Sequence, residues 1–104
     1  MRNYKQKMDK YRLPPGRMNH LLHYCQHAGD GQRKTIKKVL LSVTDPVIAD
    51  FLFMNICEGK RWRHLEAHGI PCCGDTFRFY RMMFYYHLDR ELQKESEESV
   101  LVKQ

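Results

Sequence analysis

Long apolar runs are missing from this sequence: no stretch approaches the roughly 20 consecutive apolar residues that a membrane-spanning helix needs. The opening residues, MRNYKQKMDKY, carry charge with no apolar stretch after them, so they do not read as a secretory signal. Strand-like alternation is lacking too, as are internal repeats and low-complexity segments. No Gly-rich phosphate loop, paired-carboxylate arrangement or hydrolase motif occurs, which argues against an enzyme and leaves no catalytic residue to nominate. The 4 cysteines, Cys25, Cys57, Cys72 and Cys73, have no secretory signal to carry them to an oxidising compartment, so they read as thiols rather than a disulfide framework. Together these absences lead us to expect a cytoplasmic protein without membrane contact and without a cofactor.

What is there fits one packed domain spanning residues 1–104, since 42% apolar and 12% aromatic residues can fill a modest core. The formal net charge is +6, and its distribution is uneven. Residues 1–43 hold ten Lys/Arg against two acids, residues 44–88 five against five, and residues 89–104 three against five. A second basic cluster stands at Lys60, Arg61 and Arg63. Excess positive charge points to a polyanion, because neutralising phosphates releases condensed counterions.

The periodicity predicts an all-α bundle of four to five helices. Residues 1–16 form a basic arm or short helix, with Tyr4, Met8 and Tyr11 on one face, broken by Leu13-Pro14-Pro15-Gly16. Two supporting helices follow within 17–43. The first carries Met18, Leu21, Leu22, Cys25 and Ala28 at helical spacing. The second, 32–43, carries Ile36, Val39, Leu40 and Val43, with Arg33, Lys34, Lys37 and Lys38 toward solvent. Thr44-Asp45-Pro46 starts a further helix with a capping side chain and then proline. Val47, Ile48, Phe51, Leu52, Met54 and Ile56 make that helix apolar nearly all round, as a buried core helix should be. Glu58-Gly59 ends it, glycine tolerating the left-handed backbone past a helix end. A short basic helix at about 60–68 turns Trp62 and Leu65 inward and closes at Gly69-Ile70-Pro71. A final helix, capped by Gly74 or Asp75, carries Phe77, Tyr80, Phe84 and Leu88 on one face to about Leu92, and the acidic tail 95–104 frays.

The stretch 45–92 has the order of a helix-turn-helix: the buried helix and the short helix brace a third, which offers its first turns to a major groove. Gly69 allows the sharp turn, Ile70 plugs it, and Asp75-Thr76 places capping groups and free amides at the start of the reading helix. Thr76, Arg78 and Arg81, with Phe79 beside them, are expected on the outer face. Arg78 and Arg81 are three apart and share that face, and arginine bridges O6 and N7 of guanine. Thr76, Arg78 and Arg81 are therefore the expected base contacts. Lys60, Arg61 and Arg63, with Lys34, Lys37 and Lys38 upstream, are the expected phosphate contacts.

The run Gly59-Lys60-Arg61-Trp62, Gly69-Ile70, Asp75 to Arg81, Phe84-Tyr85-Tyr86 and Leu88 resembles the C-terminal part of the RinA/ArpU-like regulators of Gram-positive phages and mobile elements. Their helix-turn-helix is similar to the sigma-factor domain that reads the upstream promoter element. The resemblance covers roughly residues 45–92 and implies a transcription regulator bound to double-stranded DNA. It makes RNA polymerase a candidate partner. It also matches Trp62 and Leu65 to the braces and Asp75-Thr76-Phe77 to the start of the reading helix. The turn through Pro71-Cys72-Cys73-Gly74 is longer here, and the Trp62–Gly69 spacing shorter.

Other readings compete. His20, His23, Cys25 and His27, or His64, His68, Cys72 and Cys73, offer metal-ligand types, but no paired Cys-x-x-Cys supports a zinc site and none is expected. A cysteine nucleophile, Cys72 or Cys73, with His68 as base has no motif behind it. Cys25 and Cys57 read as small buried hydrophobes. The weightier alternative is a protein-interaction module, an inhibitor or adaptor. The final helix carries Phe77, Phe79, Tyr80, Met82, Met83, Phe84, Tyr85 and Tyr86, more than one face of a small core can bury. Either the N-terminal helices cover the surplus or a homodimer or partner protein does.

Overall fold

A computed structural model describes the backbone of residues 11–103 and the side chains of residues 11–94. The chain forms five helices, α1 (Pro15–Gln26), α2 (Asp30–Val43), α3 (Pro46–Cys57), α4 (Trp62–Ala67) and α5 (Gly74–Lys103). No strand occurs among the described residues, so the all-α expectation holds.

Local chemistry sets the boundaries. Pro15 and Pro46 open α1 and α3 at positions where a missing backbone N–H costs nothing. Asp45 Oδ1 accepts the Ile48 amide at 2.9 Å, capping α3 as its sequence signal implies. Gln32 Oε1 reaches back to the Gly29 amide at 2.8 Å at the start of α2. Past α3, Gly59 takes φ +71°, a region that favours glycine. The Asn55 amide holds that turn by donating to the Lys60 carbonyl at 2.8 Å.

One core joins all five helices. It contains Leu21 and Cys25 of α1; Ile36, Val39 and Leu40 of α2; Ile48, Ala49, Leu52 and Ile56 of α3; Leu65 of α4; and Phe77, Phe84, Tyr85 and Leu88 of α5. Burying each large side chain contributes about 1.5–3 kcal/mol before the entropy of ordering it. Helices α1 and α2 pack on each other, and each packs on both α3 and α5, while α4 rests on α3. Polar ties fasten α5 as well. Asp89 is 7% exposed and accepts Arg17 Nε at 2.8 Å and a second, close contact from Arg17 Nη2 through the same oxygen. Lys38 Nζ reaches Glu91 at 3.5 Å.

The architecture differs from the sequence reading in several places. Helix α5 is held chiefly by α1 and α2 rather than by α3 and α4. Tyr85, expected among the surplus aromatics, is 1% exposed, because it turns toward Cys25 of α1 and Cys57 of α3. Thus Phe77, Phe84, Tyr85 and Leu88 are buried in the shared core, Phe77 against Trp62 of α4, while Phe79, Tyr80, Met82, Met83 and Tyr86 stay half-buried. Helix α3 is not apolar all round in use: Val47, beside its N-terminus, is 55% exposed. The final helix continues to Lys103 instead of stopping near Leu92, since no glycine or proline interrupts the chain after Gly74. Of the arm expected over residues 1–16, residues 1–10 lie outside the described residues, and its last two, Pro15 and Gly16, already belong to α1. Tyr11, which follows them, lies edge-on against Tyr86 at 5.2 Å and Phe79 at 5.9 Å.

Candidate nucleic-acid interface

The α4–α5 connection is built by two backbone devices. At the end of α4 the Ile70 amide donates to Leu65 O at 3.2 Å and the Gly69 amide to Glu66 O at 3.0 Å, with Gly69 at φ +80°. This is the Schellman pattern, and its customary apolar contact is supplied by Ile70 packing with Leu65 at the core. The turn-forming role expected of Gly69 and Ile70 is thus present. The start of α5 departs from expectation: Gly74 is already helical, so the cap position falls to Cys73, whose carbonyl accepts the Phe77 amide at 3.0 Å. Cys73 Sγ stands 3.2 Å from Thr76 Oγ1. The Thr76 hydroxyl and amide, helped by the Asp75 amide, hold the exposed Cys73 thiol below its ordinary range, against the opposing charge of Asp75.

Trp62 docks α4 on α5 through Phe77, with ring centroids 5.3 Å apart. Beside this contact lies a groove of about 480 Å³ lined by Asn55, Arg61, Trp62, Gly74, Phe77, Arg78 and Arg81. No carboxylate lines it, and none of its three arginines forms a salt bridge among the described residues. Arg61, expected on phosphate, and Arg78 and Arg81, expected on bases, therefore meet in one place. Lys60, Arg61, Arg63 and Arg78 are exposed.

Arg81 differs from the outward-facing residue that the sequence suggests. It is half-buried, its guanidinium lies 5.7 Å from the Tyr85 ring centroid, and its Nε is sealed from solvent without a hydrogen-bond partner. The cause is spacing: residues four apart on a helix are neighbours, and Tyr85 offers Arg81 an aromatic face. Thr76 is half-buried and tied to Cys73, and Phe79 meets Tyr11. The Tyr85 hydroxyl is sealed and makes no hydrogen bond of normal geometry; burial pushes its pKa up to about 12 although the Arg81 charge and a weaker polar contact with Arg81 draw it down.

The upstream lysines do not join the groove. Lys38 pairs with Glu91, which lies 15 residues, or about 22 Å, along α5 from Thr76. Lys37 Nζ and the Arg33 guanidinium lie 5.0 and 5.9 Å from the Phe53 centroid. Phe53 and Asn55 are two residues apart, about 200° around α3, so this cation–aromatic cluster and the arginine groove occupy opposite sides of that helix. Lys34 is exposed on α2.

The histidines form ring pairs rather than a metal centre. His64 and His68 stack at 4.2 Å, His68 Nδ1 within 2.9 Å of the His64 carbonyl, and His23 and His27 approach to 4.3 Å. Among the described residues no three His, Cys, Asp or Glu side chains converge to hold a metal. Cys25 is buried, and its hydrogen bond to Cys57 together with burial pushes its thiol upward, while the same bond lowers Cys57.

Asn55 and Trp62 complete the groove. The sequence reading gives Trp62 only a bracing role and does not single out Asn55, although a lone amide inside the run Phe51–Cys57 is a visible signal. No helix among the described residues is long and apolar enough to cross a membrane. No family model, no curated protein and no solved structure matches this chain.

Proposed function

We propose that the chain is a DNA-binding regulator whose α4–turn–α5 unit acts as a helix-turn-helix on duplex DNA. The observation that carries this reading is the groove in which Arg61, Arg78 and Arg81 converge with no carboxylate to neutralise them. Exposed Lys60 and Arg63 extend the positive surface on one flank. Helix α5 enters the major groove by its first turns, with Thr76 and Arg78 nearest the base edges. A role in transcription, in the manner of phage or mobile-element regulators and with RNA polymerase as a further partner, belongs to the same proposal. So do its cytoplasmic setting and its lack of enzymatic activity.

The test is fluorescence anisotropy with a random-sequence duplex across a salt series, for the wild type and for an Arg78→Ala/Arg81→Ala double variant. Wild-type binding that falls steeply with salt and is weakened by the double substitution is the expected result. No binding even at low salt overturns the proposal.

A second reading, a protein-interaction module, is favoured by one observation away from the aromatic helix. Leu41, 55% exposed, borders a mainly apolar groove of about 320 Å³ that also holds Phe53 and Met54. A complex anchored there would be far less salt-sensitive than one with DNA.

A further inference from the structure

Arg81 and its neighbours carry a more specific assignment, which rests on the DNA reading above. We propose that the Arg61–Arg78–Arg81 groove seats a backbone phosphodiester, and that Arg81 is a phosphate ligand rather than a reader of bases.

Three observations converge. First, the charge is unmatched: three guanidinium groups from two helical elements line one groove without a carboxylate among its walls. Side by side they repel one another, and an anion with several acceptor oxygens relieves that repulsion. A phosphodiester suits guanidinium forks, because its two non-bridging oxygens accept parallel N–H bonds.

Second, Arg81 is fixed. Its guanidinium rests near the Tyr85 ring and its Nε is sealed, so only the terminal nitrogens have a route to a ligand. Extending the side chain to a base edge would strip it from Tyr85. Arg81 also lies seven residues into α5, about 10 Å from its start, whereas a reading helix uses its N-terminal residues on bases.

Third, the other walls fit a phosphate seat and not a base pocket. Trp62 packs against Phe77 at 5.3 Å and is already engaged within the protein, so it is poorly placed to stack a nucleobase. The Asn55 amide spends one of its two N–H donors on the Lys60 carbonyl, and its oxygen is sealed from solvent, so it presents no charge and no open acceptor to a ligand. The charged donors to the ligand therefore come from the three arginines. Thr76 and the outer reach of Arg78 remain for base edges.

Phosphate and base contacts leave different signatures. Losing one phosphate contact lowers the slope of log K against log salt by about 0.9 and weakens binding about eightfold at 0.1 M salt, equally on every sequence. Losing a base contact leaves the slope intact and weakens only some sequences. The experiment measures salt slopes of the full chain on four duplexes of different sequence, for wild type, Arg81→Gln and Arg61→Gln. Glutamine at 81 keeps part of the stem that packs on Tyr85. Arg61 is exposed, so its variant reports on the groove without disturbing the core. The expected result is a slope reduced by about 0.9 for each variant, with the same fold loss on all four duplexes. A wild-type slope that survives both substitutions, or an Arg81→Gln loss confined to particular sequences, overturns the phosphate seat while leaving DNA binding in place. Wild-type protein that shows no salt-dependent binding removes the DNA reading itself, and this assignment with it.

Discussion

Replacing Tyr85 with phenylalanine removes one oxygen from the interior and leaves the ring. That oxygen is sealed from solvent and makes no hydrogen bond of normal geometry, only a weaker polar contact with Arg81, and the residue is 1% exposed. A hydroxyl buried without a partner costs roughly 1–3 kcal/mol of desolvation, so Tyr85→Phe is expected to raise stability at pH 7 by about 1 kcal/mol. For a domain of this size that corresponds to roughly 4–8 °C in Tm. The ring still faces Arg81, so the cation–aromatic contact survives. The substitution also has a pH signature. Burial favours the neutral phenol, whose pKa rises from 10.0 to about 12 in the fold. The unfolded phenol therefore ionises first as pH rises, the unfolded state holds fewer protons, and wild-type stability falls by about 2–3 kcal/mol through the window from 10 to 12. Below pH 10 that contribution is fully present. Urea unfolding of wild type and variant at pH 7 and at several values up to 12 measures both effects, and taking the difference cancels the other titrating groups. The stability gap should widen in favour of the variant above pH 10. A variant less stable than wild type by more than 1 kcal/mol at pH 7, or a gap that stays flat with pH, would refute the reasoning and show that the hydroxyl is satisfied inside the fold.

Three further outcomes follow from the same geometry. Arg17→Ala leaves the Asp89 carboxylate, 7% exposed, with only the Gln93 amide at 3.3 Å; because Arg17 is itself partly solvated and Gln93 remains, the expected cost in chemical denaturation is about 1–2 kcal/mol, below that of a fully buried pair. Gly69→Ala forces a side chain to φ +80° and should destabilise the α4–α5 turn by about 1–2 kcal/mol; an unchanged Tm would show that the turn relaxes freely. Cys73 should be alkylated first of the four cysteines and at a lower pH than an ordinary thiol, since Thr76 and the adjacent amides favour its thiolate, while buried Cys25 should react last. Mass spectrometry after brief iodoacetamide treatment over a pH series reads that order directly.

Helix identity was legible because punctuation and period agreed. Asp45-Pro46 capped α3, Gly69 and Ile70 closed α4, and the Ile36, Val39 and Leu40 stripe of α2 turned inward. Partner choice between helices was not legible, since an apolar stripe records that a face is buried and not against which helix. That is why α5 proved to lean on α1 and α2 rather than on α3. Boundaries failed where a cap depended on an unusual residue: cysteine is not a favoured cap, yet Cys73 occupies that position and gains its partner from Thr76. At the site, the residue types were readable and their orientations were not. Arg78 stands exposed as its position suggests, whereas Arg81 turns to Tyr85 because an aromatic ring four residues on competes with solvent for its guanidinium. The separation of Lys38 from the arginine groove depends on where α2 crosses α5, which a charge count along the chain does not encode.

The uninterrupted α5 also has a mechanical consequence. A helix of 30 residues without a glycine or proline hinge after its first position behaves as a stiff rod of about 45 Å. The Arg17–Asp89 clamp fastens it 13 residues, or about 20 Å, from Thr76. A tilt of about 5° at that clamp swings the arginine-bearing end through roughly 1.7 Å, more than half the length of the hydrogen bonds it would have to make. Buried Phe77 and Phe84 and the Trp62–Phe77 contact oppose such a swing, so the core under α5 is what holds Arg78 and Arg81 in line with Arg61.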